Sequence, residues 1–124
     1  MARFLYFPKL LKKYRHTVFK KLKFSRKRIS IRDIFDAISR KDNSFMPVFL
    51  ELYPDFAEKL ETINPNITSY EVEICALLKL GLTTKEIATA TNSTYKAIES
   101  VRFRIRKKLN LGTDINLIVF FSLL

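Results

Sequence analysis

Residues 83–108, TTKEIATATNSTYKAIESVRFRIRKK, set the frame for the rest of the chain. Ile87, Ala88 and Ala90 give the first part a small apolar face. Asn92-Ser93-Thr94 then supplies turn formers, with Ser93 or Thr94 placed to cap a following helix. Ala97, Ile98, Val101, Ile105 and Leu109 recur three or four positions apart, the period of a helix with one buried stripe. The remaining positions carry Lys96, Glu99, Ser100, Phe103, Arg104, Arg106, Lys107 and Lys108. Two short helices joined by a tight turn are therefore predicted, the second, over 94–109, strongly cationic.

The chain has 124 residues, the length of one domain with an appendage, and a formal charge of +11. That charge is unevenly placed. Residues 1–30 hold eleven Lys or Arg and no acid, whereas residues 31–124 hold twelve basic and twelve acidic side chains, so the whole excess sits in the first segment. Such a block expects a polyanion, either nucleic acid or an anionic membrane surface. A hydrophobic fraction of 48% is enough for a core, and only two glycines and four prolines, with no long alternating run, favour an all-α fold. No window approaches the ~18 uninterrupted apolar residues of a spanning helix. Lys9, Lys12, Lys13 and Arg15 also break any core a secretory signal would need, so a cytoplasmic protein is expected.

Catalytic chemistry has little to work with. His16 stands in a basic segment without a neighbouring carboxylate, and Cys75 lies in an apolar run, where a small buried residue in a reducing compartment is expected. Two glycines build no phosphate-cradling loop, and one Cys with one His makes no metal site. A non-enzymatic protein is expected, with no catalytic residue, no cofactor and no metal.

Along the chain, Phe4, Phe7, Leu11, Tyr14, Val18 and Leu22 share one face of a basic amphipathic helix over 1–24. Packing on the domain behind it, contact with a DNA backbone and binding to a membrane surface are all open to that helix. Ser30 opens a short helix with Asp33 in its first turn and an apolar edge of Ile31, Ile34, Phe35 and Ile38. Lys41 to Ser44 is a loop that closes a helical extension over 1–44. A lead-in segment follows over 45–66, helical in two pieces because Pro54 disfavours helix at Tyr53, with Phe45, Phe49, Leu52, Phe56, Leu60 and Ile63 inward. Thr68 and Glu71 form a capping box, and the helix behind it buries some of Val72, Cys75, Ala76, Leu78 and Leu80 before Gly81 ends it in a left-handed conformation. Leu109 to Gly112 is another helix end, and Asp114 is expected to cap a last helix, INLIVFFSLL. That helix is apolar nearly all round, so it needs a second partner, and a homodimer through 114–124 is the simplest.

A cationic helix behind a smaller one is the layout of a helix-turn-helix whose second helix lies in the major groove of double-stranded DNA. Phosphate contacts are expected from Thr84 and Lys85 at the start of the first helix and from Lys96, Arg104, Lys107 and Lys108. Base edges would be met by Lys96, Glu99, Ser100 and Phe103, where Glu99 accepts from cytosine N4 and Phe103 touches a thymine methyl. Plainer roles compete: partly exposed packing for Phe103, an ion pair with Arg102 for Glu99, and complementing the helix C-terminus for Lys107 and Lys108.

The run I-T-S-Y-E, the L-G-L-T-T-K-E-I-A turn and the basic helix ending R-K-K-L-N-L-G resemble the LuxR-type helix-turn-helix over residues 67–124. Thr68, Glu71, Gly81, Lys85, Glu86, Ile87, Ala88, Ile98, Lys108 and Leu109 stand at the family's spacing. The preceding F-L-E-L-Y-P-D-F-A-E-K-L is similar to the lead-in of a bacterial subgroup in which this domain ends sensors built of tetratricopeptide or propeller repeats. The resemblance implies a compact four-helix domain that binds DNA as a dimer through its last helix, in a nucleoid-associated transcription regulator. Three positions depart from the pattern: Thr91 and Ser93 replace the usual Leu and Ile, and Arg102 replaces a Val or Ile and needs a partner, Glu71 or Glu73. Two other functions fit the same features. One is an interaction module whose basic helix binds anionic membrane or RNA; the other is a sigma-factor-like promoter binder working with RNA polymerase.

Overall fold

A computed structural model describes residues 29–40 and 45–124, and every described element is helical, with no strand among them. The basic helix expected over 1–24 and the loop at 41–44 lie outside the described residues. The helices are α1 (Ile31–Ser39), α2 (Phe45–Leu52), α3 (Phe56–Ile63), α4 (Ser69–Lys79), α5 (Thr84–Ala90), α6 (Tyr95–Lys108) and α7 (Leu117–Ser122). They divide into two compact units, Met1–Glu58 and Lys59–Leu124, with the division inside α3.

In the first unit α1 packs on α2. Ser30 caps α1 as expected: its amide donates to Asp33 Oδ2 at 2.8 Å, in a capping box. The buried stripe differs from the expected one. Ile34 and Ala37 are inward while Ile31 and Phe35 are exposed, and among the described residues α1 packs on α2. The helix breaks at Pro54, between α2 and α3, and Phe49 meets Tyr53 at a tilt of 40° and Phe56 edge-on, with centroids 4.9 and 5.2 Å apart.

In the second unit α4 is the central helix. Val72, Ile74, Cys75, Ala76, Leu77 and Leu78 are all buried, so α4 is apolar on nearly every side and has α6 and α7 against it. Leu80 is only half-buried, and Ile63, expected inside, is 47% exposed. The α3 stripe ends at Leu60 because the chain leaves the helix at Asn64, and Ile67 is the next residue to turn in. Thr68 caps α4 through the expected box: its Oγ1 accepts from the Glu71 amide at 3.1 Å, and its own amide donates to Glu71 Oε1 at 2.9 Å. Past Leu80 the Gly81 amide donates to Leu78 O and the Leu82 amide to Leu77 O, with Gly81 at φ 89°, so a left-handed residue closes the helix.

The same closure is repeated twice with asparagine. Asn92 (φ 53°) ends α5, where the Ser93 amide donates to Ala88 O, and Asn110 (φ 56°) ends α6, where the Leu111 amide donates to Arg106 O. Asparagine tolerates this region better than other residues that carry a Cβ. The last helix starts later than expected. Its N-cap is Asn116, whose Oδ1 accepts from the Val119 amide at 3.2 Å, and not Asp114, because a turn over Gly112–Ile115 is closed first. Leu117 and Phe121 are its buried residues; Lys59 and Lys79 donate to the carbonyls of Leu124 and Phe121 at its far end.

Candidate nucleic-acid interface

The two motif helices form as the sequence predicts. Thr83 caps α5 through a second capping box, its amide donating to Glu86 Oε1 at 2.9 Å, and Thr94 caps α6 by accepting from the Ala97 amide at 3.0 Å. Backbone and hydroxyl donors of Thr83 hold the Glu86 carboxyl below its ordinary pKa, so the box is complete at neutral pH. The four-residue passage from Thr91 to Thr94 turns α5 onto α6, and the two helices pack together. Both residues that depart from the apolar pattern find partners here: Thr91 Oγ1 donates to Ile87 O at 2.8 Å and Ser93 Oγ to Thr91 O at 3.3 Å. Neither hydroxyl is left unsatisfied, which removes the larger part of the cost of a half-buried polar group.

Helix α6 divides sharply. Ile98, Val101, Ile105 and Leu109 are buried, each worth about 1.5–3 kcal/mol relative to exposure, while Ala97, expected with them, lies on the open side. A stripe centred between Ile98 and Ile105 leaves position 97 off its edge. Lys96, Glu99, Ser100, Phe103, Arg104 and Lys107 are exposed, and Phe103 reaches 58%. On α5 Lys85 is exposed and Thr84 half-buried. The Lys107 ammonium sits 4.9 Å from the centroid of the Phe103 ring, one turn back, so the cation is held over an aromatic face.

Two predicted phosphate ligands have a second commitment. Glu71, 2% exposed, is the one buried charged side chain among the described residues. Its Oε1 accepts from Lys108 Nζ at 2.7 Å as well as from the Thr68 amide, and its Oε2 lies 3.5 Å from Arg104 Nε. Burial pushes the Glu71 carboxyl up, but the Lys108 ammonium and the Thr68 donors outweigh it, and the pKa lies below the ordinary value. Lys108 Nζ also donates to Asn66 O, and Asn64 Nδ2 donates to Lys108 O, so Lys108 fastens the end of α6 to the turn before α4. Arg104 keeps half of its side chain exposed.

Arg102 does not take Glu71, which Lys108 and Arg104 occupy. Burial and the neighbouring Arg106 pull its guanidinium below the ordinary pKa, against the opposing pull of Tyr95 and Glu99. Arg106 turns away from the open face: its Nη1 donates to Gly112 O and Ile115 O, both at 2.7 Å, and ties the loop to α6. Sequence reasoning missed this clamp, which has no local signature, and missed the Thr83–Glu86 box, whose T-x-x-E pattern was there to be found. Cys75 is buried and its thiol pKa is pushed up by burial and by Glu71, so it stays protonated. No helix among the described residues is long and apolar enough to cross a membrane. Comparison of the chain with protein-family models, with curated proteins and with solved structures finds no match.

Proposed function

We propose that residues 67–124 are a LuxR-type helix-turn-helix domain that binds double-stranded DNA sequence-specifically, as a bacterial transcription regulator. In this proposal α6 lies in the major groove, two copies pair through residues 114–124, and the protein works at the nucleoid without catalysis or cofactor. What carries the assignment is the division of α6: one apolar stripe is committed to the fold, and the rest is an open face of Lys96, Glu99, Ser100, Phe103, Arg104 and Lys107. Phosphates are taken by Lys85, Lys96, Arg104 and Lys107, with Thr84 beside Lys85; Lys108 serves by fixing the C-terminal end of α6. Glu99, Ser100 and Phe103, nearer the N-terminal half, meet base edges. Pairing is supported by Ile115, Val119 and Leu123, exposed apolar residues four apart around α7.

Titration of the full chain into labelled duplex at two salt concentrations tests the proposal. With about four phosphate contacts, affinity falls by about a hundredfold as salt rises about fourfold, and Lys107→Ala weakens binding equally on all sequences. Absence of salt-dependent duplex binding overturns it. Binding to anionic vesicles or RNA in its place would establish an interaction module, and copurification with RNA polymerase a sigma-like role.

A further inference from the structure

On the basis of that proposed DNA contact, we infer that Glu71 is a positioning residue: from inside the domain it holds Arg104 by its Nε edge and so presents the Nη1/Nη2 end of the guanidinium to a DNA phosphate. The carboxylate is asymmetrically used. Oε1 is taken by the Thr68 amide at 2.9 Å and Lys108 Nζ at 2.7 Å, and Oε2 faces Arg104 Nε at 3.5 Å. The Glu71 contact is an ion pair and not a hydrogen bond, no other side-chain hydrogen bond engages Arg104 among the described residues, and half of its side chain is exposed. A guanidinium is a planar fork, so an acid at Nε leaves the two terminal amino groups for a second, bidentate partner, and phosphate oxygens match that spacing. Glu71, at 2% exposure, cannot meet DNA itself. Its contribution is to remove rotamer freedom from a long side chain before binding, so that less is lost on contact.

The sign of the effect separates this role from a bystander charge. An acid near the interface that merely repels phosphate weakens binding, so its removal strengthens it; an acid that aims a cation does the reverse. Lysine at position 104 also discriminates, because its ammonium keeps the charge but lacks the planar pair of donors that the free end of a guanidinium offers a phosphate.

The experiment is a fluorescence-anisotropy titration of the full chain on random-sequence duplex across a range of salt, for wild type, Arg104→Ala, Arg104→Lys, Glu71→Gln and the Glu71→Gln/Arg104→Ala double variant. Loss of one phosphate contact corresponds to about a tenfold weakening near 0.1 M salt and a salt slope reduced by about one. Arg104→Lys, which keeps the charge but not the paired donors, is expected to weaken binding severalfold with the salt slope nearly unchanged, whereas Arg104→Ala loses both. Glu71→Gln is expected to weaken binding with the same reduction in slope, and to add less than about twofold on the Arg104→Ala background. Wild-type binding by Arg104→Lys, tighter binding by Glu71→Gln, or full additivity of the two losses overturns the inference while leaving the DNA-binding proposal intact. Failure of the wild type to bind duplex removes both. Should Glu71→Gln melt below the assay temperature, the Arg104→Lys comparison decides alone, since Arg104 is half-exposed.

Discussion

Glu71 joins three parts of the second unit through one carboxylate: the α4 N-cap, the C-terminal end of α6 and the flank of its open face. Its folded pKa is lowered, so its stabilising contribution is complete above the unfolded value of about 4.3 and is lost as pH falls through the lower folded value. Urea unfolding followed between pH 7 and pH 3 is therefore expected to show a fall in stability over the acid end that is smaller in Glu71→Gln. At pH 7, Lys108→Met leaves a buried carboxylate without its nearest cation and is expected to cost about 2–3 kcal/mol, read as a shift in the urea midpoint at constant slope. The capping role of Glu71 was legible because T-x-x-E is a four-residue pattern. Its cationic partners were not. Helical spacing puts Arg102 and Arg104 on different sides of α6, and only the way α6 rotates against α4 decides which of them the acid meets.

Three helices in the second unit end in the same way, with a left-handed residue at Gly81, Asn92 and Asn110. A Cβ built on Gly81 meets nothing within 4 Å, so the cost of Gly81→Ala is all backbone and is expected to be about 1–2 kcal/mol; a thermal melt showing no loss would contradict it. The Gly81 end was readable from a glycine after a periodic run, and so, apart from Ala97, was the buried stripe of α6, which recurs over about three turns; the left-handed asparagines were not read. Shorter elements were read less well. In α1 and at the end of α3, helices of nine and eight residues, periodicity offers more apolar positions than the fold buries, and Phe35 and Ile63 are exposed. The start of α7 was misplaced because Asp114 and Asn116 are equal as caps by residue type, and the choice between them is made by Arg106, which holds the carbonyls of Gly112 and Ile115 in a turn.

Residues 1–30 carry eleven basic side chains and no acid, and acids and bases balance over residues 31–124 as a whole, so the net charge of the chain lies outside the candidate interface. Charge alone therefore points to a polyanion without saying which surface meets it, and the placement of cations on α6 had to come from periodicity. Assembly is the other property that belongs to the chain as a unit. Val119 on α7 and Leu123 just beyond it are 54% and 83% exposed, and on the proposed pairing Leu123→Glu is expected to shift the sedimentation coefficient from dimer to monomer with little change in melting temperature. A variant that stays dimeric would locate the pairing surface elsewhere. The Arg106 clamp then acquires a mechanical meaning. One guanidinium grips both ends of the turn that leads from α6 to α7, so two copies joined at α7 would behave as calipers locked at one opening. Lengthening that turn by a single residue would loosen the lock and let the gap between the two α6 rods wander, at no loss of affinity for either rod alone.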